Sequence, residues 1–307
     1  MPAPAMSVQA DTPARDNAVG GHLPWIGRAA KGGRLRLVQG PIDIILDLKG
    51  PEDAVRAAEA RAVMAFEGLL EQLVAELPVL RTPVGQGALP QGQVARAMAS
   101  AVAPFRPDFI TPMAAVAGAV ADHILAAVTA ESGLDSAAVN NGGDVALWLK
   151  GTARYRVGIA DGRPGTAPLA LIGIGAGDGI GGIATSGWRG RSHSLGIADA
   201  VTVLARTAAG ADAAATMIAN AVDLPGHSGI IRRPARDLAP DSDLGTRPVT
   251  VDVGPLTPGE RARALDAGEK YAAELIGRGL ARAIFLSLQD EVRSLGADLP
   301  AIREEKR

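Results

Sequence analysis

Alternating and apolar runs divide the chain into an ordered set of elements. Arg34–Gln39 and Ile42–Leu48 are such runs, parted by Gly40 and Pro41, and they predict a hairpin. Pro51, Glu52 and Asp53 then open an Ala-, Glu- and Arg-rich helix that carries Met64, Phe66, Leu70 and Leu73 and stops before Pro78. The Pro- and Gly-rich stretch Thr82–Gly92 reads as a surface loop or a lid. Met113–Ala130 reads as a helix whose small residues permit close packing. Ala137–Asn141, Val145–Lys150, Tyr155–Ala160 and Leu169–Ile174 read as successive strands with Gly or Asp at their turns. Val201–Ala205 and Val249–Val253 add strands, and Ala211–Val222 adds a helix. A last helix starts at Thr257 as N-cap, with Pro258 at its first position and Glu260 completing a capping box. Its predicted stripe is Leu265, Tyr271, Leu275, Ile276, Ala283 and Leu286. Strands that are mostly grouped, with helices laid against them, predict an α+β protein of mixed α/β layers rather than a strict βαβ alternation. No period of 20 to 50 residues recurs, which argues against a solenoid or propeller.

Composition narrows this picture. At 307 residues the chain can bury a large core, and we expect one domain of two intimate halves over 23–307. Residues 1–22 hold little to bury and are expected to be a disordered tail. A formal charge of -2 offers no basic surface for counterion release, so no nucleic acid partner is expected. The absence of cysteine removes disulfides and thiolate chemistry. The opening residues lack the apolar core of a signal peptide, and no run reads as a membrane span of ~18 apolar residues. A cytoplasmic location with no membrane partner is the expectation, and a homodimer stays open.

Candidate chemistry concentrates between Ile183 and Thr216. Thr185, Ser186 and Gly187 end an apolar, Gly-rich run where amides and hydroxyls can face an anionic ligand. Asp212 and Thr216 lie one helical turn apart and project from one face, as hard oxygen donors suited to a magnesium ion that keeps several waters. Asp212 is also readable as a first-turn acid stabilised by the helix dipole. His193, just after Arg189 and Arg191, is a candidate neutral base, and the two arginines are candidate phosphate ligands. Asn140, Asn141, Gly142, Gly143 and Asp144 form a polar turn that can approach a ligand closely, and that turn chemistry alone also explains. The run GIGAGDGIGG at Gly173–Gly182 has no helix behind it, so it reads as a hairpin rather than a dinucleotide fingerprint.

Taken together, these segments resemble the ApbE family of flavin transferases, magnesium-dependent enzymes that move FMN from FAD onto a protein threonine, and within that superfamily a UPF-type cytoplasmic offshoot. The resemblance runs in order from about Val38 to Val222. NNGGDVAL at Asn140–Leu147 is similar to the family's asparagine and double-glycine block. IATSG at Ile183–Gly187 is similar to its Ser-Gly turn beside the flavin nucleotide. VTVLARTAAGADAAAT at Val201–Thr216 is similar to its strand and Ala-Asp-Ala helix start, which implies that Asp212 and Thr216 bind Mg²⁺. PMAAVAGAVAD at Pro112–Asp122 is similar to its Gly-Gly-Ile-Ala-Lys-Gly helix start, which implies a metal-holding carbonyl at Ala117. The family lysine is missing there.

A second departure bears on activity. Where the family carries His-x-x-Asp-Pro-x-Thr-Gly, this chain has only Arg191, Ser192, His193, Ser194, Leu195 and Gly196. The resemblance implies an ApbE-like fold with a mostly antiparallel sheet, a flavin nucleotide (FAD) site with Mg²⁺, His193 as base, and transfer to a hydroxyl of an unknown protein acceptor. The departure keeps two alternatives in view: a non-catalytic flavin-binding or flavin-handling protein, and an enzyme on another small phosphorylated or acidic substrate.

Overall fold

The structure, a computed structural model, describes residues 24–29, 33–131, 133–159, 168 and 170–296. The expected tail at 1–22 lies outside them. The elements are β1 (Trp25–Arg28), β2 (Leu35–Gln39), β3 (Ile42–Lys49), α1 (Glu52–Phe66), α2 (Leu69–Ala75), α3 (Leu77–Leu80), α4 (Gln93–Val102), α5 (Val116–Thr129), β4 (Ser136–Asn141), β5 (Asp144–Leu149), β6 (Arg154–Ile159), β7 (Ala170–Gly175), β8 (Gly182–Ser186), β9 (Ala200–Ala205), α6 (Ala208–Ala221), β10 (Ile230–Pro234), α7 (Ala235–Leu238), β11 (Pro248–Val253), α8 (Pro258–Gly277), β12 (Ala283–Leu288) and β13 (Glu291–Gly296). The fold is α+β. A nine-stranded sheet in the order β1-β2-β3-β4-β5-β8-β9-β12-β13 is antiparallel at each pairing.

Alternation of side chains assigns the two faces of that sheet. Leu37, Ile44, Val139, Ala146, Ala184, Val201 and Leu286 join the core under the helices. Val145, Leu147, Ile183 and Leu204 point the other way, where the β6–β7 hairpin covers them with Tyr155, Ile159, Ile172 and Ile174. Helices α5 and α6 lie at the centre of the first face, with α1 and α4 on α5 and α8 on α6.

The seat of α6 is unusually close. Its faces are mostly alanine, with Ala208, Ala211, Ala213, Ala214, Ala215 and Ala219 fully buried. A Cβ on Gly118 of α5 would stand 2.2 Å from the Ala208 carbonyl, and one on Gly182 of β8 would stand 2.1 Å from the Ala208 nitrogen. Such an approach buries the helix N-terminus, whose first amides have no partner within the helix. Asp122 of α5 supplies partners, accepting from Ala208 N at 3.0 Å and Ala209 N at 2.9 Å. Thr207 accepts from Gly210 N at 3.1 Å.

Several expectations are corrected. The helix predicted from Pro51 ends at Phe66, because Gly68 takes a left-handed φ of 70°, and Pro78 sits inside α3 at a first-turn position that needs no amide bond. A further helix, α4, follows the Gly- and Pro-rich stretch, with Val94, Met98 and Val102 spaced for a buried face. Pro112–Ala115 is a 3₁₀ turn that leads into α5. The last helix ends at Gly277, Gly279 turns the chain with φ 71°, and Ala283 and Leu286 belong to β12. An apolar run buried on both faces has no helical period of its own, so the stripe could be extended across the break. One segment, Pro112–Thr129, has mean hydropathy 1.4 over 18 residues, enough to cross a membrane by length and composition. It is the central helix of the fold, packed on α6, α1 and β4.

Asp122→Ala leaves two buried amides of α6 unpaired and should cost about 1–2 kcal/mol, measured by denaturant unfolding. A loss below a few tenths would show that α6 does not depend on this cap.

The capping box at Thr257 is formed as expected, with Thr257 N donating to Glu260 Oε2 at 2.8 Å. Bonds from the Thr257 amide and hydroxyl, then from His227, hold the Glu260 carboxyl at about 2 against an ordinary 4.5. Because the folded value is the lower one, the stabilisation is present above pH 4.5 and is lost as pH falls toward 2. The gap in thermal midpoint between the protein and Glu260→Gln should therefore close over that window; a gap independent of pH would contradict it.

Candidate functional site

The turns Gly142–Gly143 and Gln289–Asp290 and the segment after β8 all leave the sheet at one end, since Asn141 pairs with Asp144, Ser186 with Val201 and Ala200 with Ser287. The β4–β5 loop has two residues, Gly142 and Gly143, with φ of 64° and 118°. Both positive values are those a tight hairpin asks for. So short a loop sets Asn141 and Asp144 opposite each other on the helix side of the sheet.

Asp144, 9% exposed, meets Asp212 of α6 there, and the two carboxyls hydrogen-bond to each other. Burial pushes the Asp144 carboxyl up to about 7, against the opposing pull of the Thr185 amide, the Arg191 charge and the bond from Asp212. Burial, then the facing Asp144 charge, holds Asp212 well above the carboxylate range. Asp212 Oδ2 also accepts from Gly118 N at 3.1 Å. Asn141 bridges the same elements: its Nδ2 donates to the Ala117 carbonyl at 3.1 Å and its Oδ1 accepts from Asp43 N at 3.3 Å.

Two carboxyls pressed together in a buried place are a costly arrangement that a cation relieves. The donors are all oxygen: Asp144, Asp212, the Ala117 carbonyl, and Thr216 one turn along α6. Among the described residues no cluster of three or more His, Asp or Glu could hold a metal, so the remaining positions would fall to neutral oxygens, water and a ligand. That composition fits magnesium.

The other candidate residues are divided by the sheet. Asn140 and Thr185 share the face of Val145 and Ile183, away from the helices. Asn140 Oδ1 accepts from Gly143 N at 2.8 Å, and Thr185 Oγ1 is 2.8 Å from Thr202 Oγ1. Thr185 reaches the pair through its amide, which donates to Asp144 Oδ1 at 3.2 Å. Ser186 lies on the helix side with Ala184. Gly187 runs so near β9 that a Cβ would stand 2.4 Å from the Asp199 carbonyl. Arg191 crosses to the β4–β5 turn and donates to the Gly142 carbonyl at 2.8 Å. Arg189 is held elsewhere, its Nε 2.7 Å from Asp199 Oδ1. His193 makes no described contact with the carboxyls. Its neighbour Leu195 donates to Asn220 Oδ1 at 2.9 Å, and Asn220 lies eight residues beyond Asp212, about 12 Å along the helix axis.

Sequence reasoning set Asp144 in the turn and missed it as the partner of Asp212. It also missed Asp122 and Asp199. The two-residue loop was a readable signal for the Asn141 and Asp144 pairing. The side of the sheet that meets α6 had none.

Residues 26–294 match the profile of the family described as AbpE bacteria. A UPF0280 protein of Methanopyrus kandleri is 35% identical over 190 residues, 61% of this chain and 73% of that protein. A UPF0280 protein of Methanothrix thermoacetophila is 43% identical over 113 residues, 37% of this chain and 46% of its own length. Among solved structures, the apo flavinyl transferase ApbE of Pseudomonas stutzeri aligns with a TM-score of 0.41 at 11% identity, covering 92% of this chain and 96% of that one. The ApbE protein of Thermotoga maritima aligns with a TM-score of 0.39 at 15% identity over 88% and 96%. Likenesses this loose carry no residue roles.

Removing one of two facing buried carboxyls should relieve the metal-free protein. Asp144→Asn should raise its unfolding free energy by about 1 kcal/mol or more in chelator-treated buffer. A fall instead would show that the pair stabilises the fold on its own.

Proposed function

The chain belongs to the family described as AbpE bacteria, and on that footing we propose that it binds a flavin nucleotide, FAD, together with Mg²⁺ at the Asp144–Asp212 site. The observation that carries this reading is the buried carboxyl pair, raised in pKa and set beside the Ala117 carbonyl. Asp144, Asp212, Thr216 and the Ala117 carbonyl would hold the ion. When bound, it supplies charge neutralisation at the nucleotide diphosphate.

The chain's own residues do the rest. Arg191, anchored on the Gly142 carbonyl, brings a cation to the rim of the same turn. Nothing lies within 4 Å of the place a Cβ on Gly143 would take, so the turn is open there to phosphate oxygens, while the same place on Gly142 is filled by the Arg191 guanidinium. Asn141 fixes the Ala117 carbonyl in place. In a transfer reaction the hydroxyl of an acceptor protein attacks the FMN phosphorus, the bond to the AMP oxygen breaks, AMP leaves, and the hydroxyl proton passes to a base. His193 is the candidate for that base.

One observation favours a second reading, flavin binding without transfer. No described contact brings His193 toward the carboxyls, and its segment is tied to the far end of α6. The two readings share the binding site and differ in whether AMP appears.

Calorimetric titration of the full chain with FAD should show binding that needs Mg²⁺ and weakens at least tenfold, about 1.4 kcal/mol, in Asp212→Asn. Binding indifferent to both Mg²⁺ and that substitution would overturn the site. AMP release on incubation supports transfer or hydrolysis, and tight binding with no AMP supports the second reading.

A further inference from the structure

The same end of the sheet carries an arrangement that the carboxyl site does not use. Asp199, 3% exposed, stands just before β9. One of its oxygens accepts from Trp188 Nε1 at 2.9 Å and from Arg189 Nε at 2.7 Å. Its other oxygen accepts from the Gln289 amide, in a residue that takes the left-handed φ of 53°. Gln289 is in turn held by Gly254, which accepts from its Nε2 at 2.9 Å. So braced, the Arg189 guanidinium lies over the Trp188 ring, 4.5 Å from its centroid.

A buried carboxylate that fixes a tryptophan and an arginine in one stack does more than a surface loop needs. Both side chains remain partly open to solvent, the Arg189 side chain by 37%. The sequence holds three tryptophans. Trp25 is on the outer edge strand and Trp148 is near the other end of β5. Trp188 alone among them follows a central strand, β8, at the end of the sheet that holds Asp144. Two strand spacings separate β5 from β9, roughly 10 Å, which is the order of the distance from a nucleotide's phosphates to its ring system.

We propose that the Trp188–Arg189 stack is the surface on which the isoalloxazine ring of the flavin lies, with Asp199 as the positioning residue. The inference rests on the flavin reading given under Proposed function and names the part of the ligand that the carboxyl site does not reach. An electron-rich indole attracts the face of an electron-poor ring, and the Arg189 guanidinium is held over the indole, where the cation–π attraction keeps the indole in place. Asp199 keeps the two side chains stacked before the ligand arrives, which lowers the ordering cost of binding.

The test compares FAD, FMN and ADP-ribose on the full chain with Mg²⁺ present. ADP-ribose keeps the adenosine and the diphosphate and lacks the flavin. Trp188→Ala should weaken FAD and FMN about tenfold and leave ADP-ribose within about twofold. Trp188→Phe, which keeps an aromatic face, should restore most of the affinity, and thermal unfolding checks that both variants fold. Asp199→Asn should weaken FAD in the same direction and diminish the long-wavelength perturbation of the flavin absorption band, which a merely structural role would not move. Equal weakening of FAD and ADP-ribose in Trp188→Ala, or no weakening of either, overturns the proposal. If Asp212→Asn still weakens FAD in that case, the flavin site stands without this platform. A wild-type chain that binds neither FAD nor FMN overturns both.

Discussion

The structure depends on how closely α6 is seated. An alanine helix is drawn so near to α5 and β8 that Gly118 and Gly182 have no space for a Cβ. Apolar burial favours that approach, but it takes the helix N-terminus out of water. Asp122 resolves the conflict by accepting from the first two amides. With α6 fixed in this way, Asp212 and Thr216 keep a set height and a set face. The small residues of α5 matter for the same reason, since they place the Ala117 carbonyl and the Gly118 amide beside Asp212.

The price of this seat is a second conflict, between two carboxyls. Asp144 arrives from the β4–β5 turn and Asp212 from α6, and neither has a basic side chain as its main partner. Arg191 acts on Asp144 from the rim, bonded to a carbonyl rather than to either carboxylate. The protein therefore keeps, at this end of the sheet, an arrangement that is poor for stability and that a cation would relieve. Local rules are commonly broken in this way where a binding site has to be built.

Alternation along the strands then sorts the polar groups at the sheet end. Asn141, Asp144 and Ser186 are on the helix side, while Asn140 and Thr185 are on the other. Neighbours in sequence thus do different work. Asn141 holds a carbonyl of α5, whereas Asn140 closes its own turn. Arg191 reaches the carboxyl turn, whereas Arg189 is committed to Asp199. A sequence reading that treats NNGGD or TSG as one functional block cannot separate these roles.

Much of the fold was legible along the chain. The β2–β3 hairpin, the strands β4, β5, β6, β7, β9 and β11 and the Thr257 capping box depend on period, turn residues and caps, which are local. The breaks at Gly68 and Gly279 were missed because glycine marks a turn only where packing asks for a positive φ. In the site, the spacing of Asp212 and Thr216 fixed their common helix face, and two glycines fixed the pairing of Asn141 with Asp144. Tertiary structure alone decided that these two faces meet, that Asp144 and Asp212 share one buried place, and that Asp199 grips Trp188 and Arg189. The meeting of Asp144 with Asp212 joins residues far apart in sequence, and it follows from how near a helix of alanines can lie to a sheet.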